Sequence, residues 1–166
     1  AQVTGDGLPN ILNGGILTIN ANLSNSDNIT VDGSTSVLTI TAGTIDIGGL
    51  TNKDLILNNQ ASFNLSGGDV TVGNSLTVDK GSTATMSGAA TLLTTTYLTI
   101  QDKTGATSST FNMSAGTANV TSSVFLDGKS TGSRPLLNMS GGTFNISFKT
   151  EWCGNSTDYP HIIVSA

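Results

Sequence analysis

FNLSGGDVTV at 63–72 returns as FNMSAGTANV at 111–120 and as LNMSGGTFNI at 137–146. Weaker copies, LTITAGTIDI at 38–47 and ATMSGAATLL at 84–93, lie before and between them. With the second turn residue of each copy as marker (Gly43, Gly68, Ala89, Gly116, Gly142), the spacings are 25, 21, 27 and 26 residues. Self-similarity at that period signals a repeat architecture, in which no unit buries its apolar face alone and stacking closes the core.

Around each phrase the chain alternates apolar and polar residues and is punctuated by Gly and Asn, a strand-and-turn pattern. An apolar strand often ending in Asp or Asn comes first: 29–32, 55–58, 76–79, 98–100 and 124–127. The FNLS-type strand follows, then a small-residue bend, then a VTV- or FNI-like strand. Alternation turns Leu38/Ile40, Phe63/Leu65, Ala84/Met86, Phe111/Met113 and Leu137/Met139 inward in the second strand. In the third it turns Ile45/Ile47, Val70/Val72, Ala118/Val120 and Phe144/Ile146 inward. In the third copy, at 84–93, small Ala84 and Ala90 are expected to narrow the core. No i, i+3, i+4 apolar spacing supports a helix.

Coils of three strands stacked about 4.8 Å apart predict an all-β fold, a parallel β-solenoid (right-handed β-helix) of about five to six coils with an atypical C-terminal segment. Its axial length would be roughly 25–30 Å. A β-sandwich shares the turns and alternation but has no reason to repeat one phrase in register. The expected division is an N-terminal arm or cap over 1–14, solenoid repeats over 15–148, and a C-terminal cap or intermolecular strand over 149–166.

Composition narrows the function. Charged residues make up 10% of the chain and the formal charge is −5, with six basic residues, which argues against nucleic acid. No apolar run approaches the roughly 20 residues that span a bilayer, so membrane insertion is not expected. The single cysteine, Cys153, rules out an intramolecular disulfide. Many Thr, Ser, Asn and Gly with few Lys and Glu agree with a secreted, extracellular or cell-surface protein. The chain opens on Ala1-Gln2-Val3, as a secreted protein does once its leader is removed and as any trimmed chain does. Eight Asn-x-Ser/Thr sequons, at Asn22, Asn28, Asn64, Asn112, Asn119, Asn138, Asn145 and Asn155, fit glycosylation or arise from the repeat itself.

Catalytic chemistry finds little footing. His161 is the only near-neutral base, Glu151 the only glutamate, and no Ser or Cys nucleophile sits in a known motif. The expectation is no enzyme, with no catalytic residue, cofactor or metal ligand assigned. Asp32, Asp79, Asp102 and Asp127 follow the first strand and are expected to stack along one edge. Ca²⁺ would relieve their repulsion; Lys80, Lys103 and Lys129 offer a simpler relief as an ion-pair row.

Two surfaces remain as candidates. On the outward side of the second strand, Thr39, Asn64, Thr85, Asn112 and Asn138 form one column, and Thr41, Ser66, Ser87, Ser114 and Ser140 the next. Such arrays read as a solvated ladder, a surface for glycans, or an ice-binding face; Asn64, Ser66, Asn112, Ser114, Asn138 and Ser140 define them. The tail KTEWCGNSTDYPHIIVSA at 149–166 breaks the repeat. Trp152, Cys153, Tyr159, Ile162, Ile163 and Val164 are its candidate assembly residues, either capping the core or pairing with a neighbouring molecule.

The [F/L]-N-[L/M]-S-[G/A]-G-[T/D] phrases, over most of 15–148, resemble the repeats of bacterial secreted β-solenoids such as autotransporter passengers and PEP-CTERM-type repeat proteins. That resemblance implies an extracellular structural role, as in adhesins, surface layers and stalks. With it, the expected function is a solenoid subunit that self-assembles head to tail into a homopolymeric fibre or surface layer. The alternatives are a glycan-binding adhesin module or an ice-binding solenoid.

Overall fold

The computed structural model describes residues 3–4, 10–48, 52–102, 107–128, 134–153 and 161–165; the side chains of residues 3, 4, 152, 153 and 161 are outside that description. All regular structure in it is β-strand and all pairing is parallel. Each coil contributes one strand to each of three faces. Face one stacks Ile11–Leu12, Ile29–Asp32, Leu55–Asn58, residues 75–78, residues 97–102, Ser123–Gly128 and Lys149–Cys153. Face two is a seven-stranded sheet of Ile16–Ile19, Val37–Ile40, Ser62–Leu65, Thr83–Met86, Thr110–Met113, Leu136–Met139 and His161–Val164. Face three stacks Val3–Thr4, Leu23–Asn25, Thr44–Ile47, residues 69–72, residues 92–95, Thr117–Val120 and Thr143–Ile146. In Asp69–Val78 and Leu92–Asp102 the chain runs from face three into face one of the next coil, and the register shifts between Val72 and Ser75. The expected parallel β-solenoid is the fold that forms.

The core is a set of columns. Leu38, Phe63, Ala84, Phe111 and Leu137 succeed one another on face two, with Ile40, Leu65, Met86 and Met113 beside them, all essentially without solvent access. Face three supplies Ile45, Val70, Leu93 and Ala118, and face one Ile29, Leu55, Leu76, Leu98 and Val124. Phe144 packs edge-on against Phe111 with ring centroids 6.1 Å apart. The inward pairs read from alternation hold in every copy. Their burial weakens only at the last copy, where Met139 and Phe144 are half-buried and Ile146 is exposed, with no further described strand on face three.

The third copy, at 84–93, departs from expectation. Register pairs Leu65 with Met86 and Val70 with Leu93, so the bend there is two residues longer than in the preceding coil. Thr91, not Ala89, therefore occupies the turn position shared by Gly43, Gly68, Gly116 and Gly142. Its hydroxyl donates to the Gly88 carbonyl at 2.6 Å and closes the longer loop. Ala90 lies exposed on that loop rather than in the core, and Leu93 and Thr95 point inward instead. Thr95 satisfies its buried hydroxyl on the carbonyls of Tyr97 (2.9 Å) and Asn74 (3.1 Å).

At the turn between faces two and three, coils approach backbone to backbone. Gly68 has φ +83°, and a Cβ there would lie 2.4 Å from the Gly43 carbonyl oxygen. Left-handed backbone costs a residue with a Cβ about 1 kcal/mol or more, and the contact adds to it. The turn between faces one and two carries a buried column of Ser36, Ala61, Ser82 and Ser109. Ser36 Oγ accepts the Gly14 N–H, and Ser109 Oγ accepts the Gly81 N–H, both at 3.0 Å from the preceding coil. Gln60 N–H instead donates to the Lys80 carbonyl at 3.0 Å, and the buried Ser82 hydroxyl has no partner among the described residues.

Val3–Thr4 and Ile11–Leu12, within the expected N-terminal arm or cap, and Lys149–Cys153 and His161–Val164, within the expected C-terminal cap or intermolecular strand, pair with neighbouring coils.

Two stability outcomes follow from the turns. Gly68→Ala is expected to cost at least about 2 kcal/mol in urea unfolding. Ser82→Ala should stabilise by about 1 kcal/mol, while Ser109→Ala, which orphans the Gly81 N–H, should destabilise by a similar amount; thermal melts of the two variants should move in opposite directions.

Candidate functional site

Three surface features carry residues singled out from sequence: the outward columns of face two, the acidic edge of face one, and the terminal coil.

On face two, Thr18, Thr39, Asn64, Thr85, Asn112 and Asn138 lie in successive register, as alternation requires. Asn138 Nδ2 donates to Asn112 Oδ1 at 3.1 Å, and on face three Asn145 Nδ2 donates to Asn119 Oδ1 at 2.8 Å. Thr41, Ser66, Ser87, Ser114 and Ser140 form the neighbouring column, each donating its N–H to the carbonyl one coil back. Asn112 and Asn138 spend amide capacity on each other, whereas Ser66, Ser114 and Ser140 are exposed. The columns therefore combine an internal ladder with a solvated hydroxyl row.

The acidic edge differs from its expected form. Register places Asp32, Asn58, Asp79, Gln101 and Asp127 in one column; Gln101, not Asp102, occupies the fifth coil's position, and Asp102 lies one residue beyond it. Carboxylates thus alternate with amides. Gln101 Nε2 donates to Asp79 Oδ2 at 3.1 Å, Asn59 Nδ2 donates to Asp32 Oδ1 at 2.6 Å, and the Lys80 N–H donates to Asp79 Oδ1 at 2.8 Å. Carboxylates two coils apart are separated by roughly 9.6 Å, so the like-charge repulsion that would invite a cation is already relieved by interposed donors. Lys103 and Lys129 lie outside the described residues. Among the described residues no three His, Cys, Asp or Glu side chains converge on a point that could hold a metal ion.

The tail adds a last partial coil. Lys149–Cys153 pairs with Ser123–Gly128, with Trp152 opposite Leu126 and Cys153 opposite Asp127. His161–Val164 pairs with Leu136–Met139, so Ile162, Ile163 and Val164 extend face two. Tyr159 lies outside the described residues. Ile162 and Val164 follow the core columns of Leu137 and Met139, yet they are 40% and 73% exposed, with no strand beyond them among the described residues. The opposite end differs: Leu17 and Ile19, in register with the core residues Leu38 and Ile40, are half-buried, while the exposed Ile16 (75%) faces outward and the exposed Leu12 stands opposite Asp32.

No helix among the described residues is long and apolar enough to cross a membrane. Comparison with protein-family models, with curated proteins and with solved structures finds no match to this chain.

The amide interleaving on face one yields a direct test. Gln101→Glu sets three carboxylates in adjacent coils, so the substituted side chain should hold its proton more tightly in the folded than in the unfolded chain. A raised folded-state pKa favours folding below the unfolded value and disfavours it above. The variant should therefore be less stable than the parent at pH 7, by about 1–2 kcal/mol, with the deficit closing near pH 4. Urea unfolding at both pH values measures it.

Proposed function

We propose that this chain is an extracellular structural subunit, a β-solenoid that stacks end to end into a fibre or surface layer. The observation carrying the reading is the pair of strand edges at which the described ladder stops. Among the described residues neither the outer edge of His161–Val164 nor that of Ile16–Ile19 has a partner strand, and Ile162 and Val164 lie exposed in columns that are apolar in the coil before them. All pairing is parallel, so the edge of His161–Val164 and the edge of Ile16–Ile19 have the polarity needed to continue one sheet between two copies. Exposed, apolar strand edges are templates for pairing with another chain, and a head-to-tail contact that does not close generates a filament.

Other features support the same reading. The surface is uncharged for long stretches, the chain carries few Lys and Glu, and its repeat phrases resemble those of secreted bacterial solenoids. The polar columns of face two lie along the shaft, leaving them solvated in a stacked fibre. The reading assigns no catalytic role to any residue.

Sedimentation velocity over a concentration series, with electron microscopy of the same samples, tests it. The parent chain should sediment as a growing series and form filaments. Val164→Lys and Ile16→Lys, both at exposed positions, should leave the melting temperature within a few degrees and hold the chain as a monomer. A parent chain that stays monomeric at its highest soluble concentration overturns the reading.

A further inference from the structure

The described aromatic side chains divide into two groups. Phe63 and Phe111 are buried in the core, and Phe144 packs on Phe111. Tyr97, Phe125 and Phe148 face outward, and all three lie on face one or at its leading corner in the last coils. Tyr97 and Phe125 are half-buried, with ring centroids 5.9 Å apart and planes inclined by 43°. Phe148 is 73% exposed, and the Lys149 ammonium sits 5.5 Å from its ring centre.

Register draws the surroundings as a grid. One outward column runs Asp54, Ser75, Tyr97, Ser123 and Lys149, and the adjacent one runs Ile56, Thr77, Thr99, Phe125 and Glu151. Tyr97 and Phe125 therefore stand diagonally, with partly exposed Thr99 and buried Ser123 at the other two corners. Ser75 Oγ lies 3.2 Å from Thr77 Oγ1 and 3.5 Å from Thr99 Oγ1, which fixes a hydroxyl row beside the rings. Asp54 Oδ1 is held by Asn74 Nδ2 at 2.8 Å and by the Ser75 N–H at 3.0 Å, which fixes a carboxylate beside the hydroxyl row. At the far end Lys149 Nζ meets Glu151 Oε1 at 2.8 Å, which leaves that end electrically balanced.

We propose that this strip binds a neutral carbohydrate chain. A pyranose ring has one face of C–H groups and a rim of hydroxyls. Half-exposed aromatic rings offer an apolar platform for the former, and a row of Ser and Thr hydroxyls with a carboxylate beside it pairs with the latter. The charge pattern selects the ligand class: the strip's one cation is neutralised by its neighbour, so an anionic glycan gains nothing there, and the patch has no cationic row for phosphate. Size points the same way. Three rings, two of them half-buried, offer far less area than the roughly 800 Å² per partner of a stable protein interface. Tyr97 and Phe125 lie on the side of the shaft, whereas Phe148, Lys149 and Glu151 belong to the last described strand of face one, so glycan retention and self-association have to be read separately.

Retention on insoluble cellulose and chitin, together with an array of neutral gluco-, manno-, galacto- and N-acetylglucosamine oligosaccharides, tests the proposal with the whole chain. The parent should bind at least one of these probes. Phe148→Ala, at an exposed position, and Tyr97→Leu and Phe125→Leu, which keep apolar bulk while removing the ring, should each weaken that binding about tenfold, the effect expected for a lost stacking contact. Asn112→Ala, on face two, should leave it unchanged. Absence of binding to every probe, or binding equal in parent and ring variants, overturns the proposal. So does a Phe148→Ala variant whose self-association changes while its glycan retention does not, since the strip would then be a protein contact.

Discussion

The backbone ladder between successive coils is the constraint on which the rest of this structure depends. Parallel strands at fixed spacing force residue on residue, so whatever stands at a position in one coil must tolerate its counterpart above and below. That is why the inward columns are continuously apolar and why Gly43, Gly68, Gly116 and Gly142 recur at the bend. A side chain at Gly68 would enter the carbonyl of the coil beneath it, and the ladder itself would have to open. The same constraint decides the polar positions. Asn112 meets Asn138, and Gln101 meets Asp79, each as a donor placed opposite an acceptor.

A stack built this way has stability that is a sum over neighbouring coils. Central coils are covered on both sides and terminal coils on one. The contrast is visible along a single column, from fully buried Ile40 and Leu65 to the exposed Val164. In the proposed reading, function lies in the outer edges of the described strands and in what decorates the sides. Those edges have matching polarity, face two carries a solvated ladder, and face one the outward aromatic rings.

Much of this was legible before any coordinates, because the repeated phrase carries both period and phase. Phe63, Leu65, Val70 and Val72 could be turned inward by alternation alone, and the other copies inherited the assignment. The misses arose where the period slips. In SGAAT the chain holds two extra small residues, and Gly, Ala and Thr are nearly interchangeable in a turn, so nothing local marked Thr91 as the residue in register. Gln101 was passed over for Asp102 because a recurrent Asp suggested a uniform row, whereas hydrogen bonding between coils favours amide beside carboxylate. Tyr97 and Phe125 sit 28 residues apart, and only the coil-to-coil register brings their rings together.

Amide hydrogen exchange, resolved by residue and repeated at low and high protein concentration, tests the account most directly. If coil-on-coil pairing holds the fold and open ends drive assembly, protection at low concentration should peak over 55–113 and fall toward Ile16–Ile19 and His161–Val164. It should then rise at those two strands, and there above all, as concentration increases. Terminal strands as protected as the centre at low concentration, or indifferent to concentration, would contradict it.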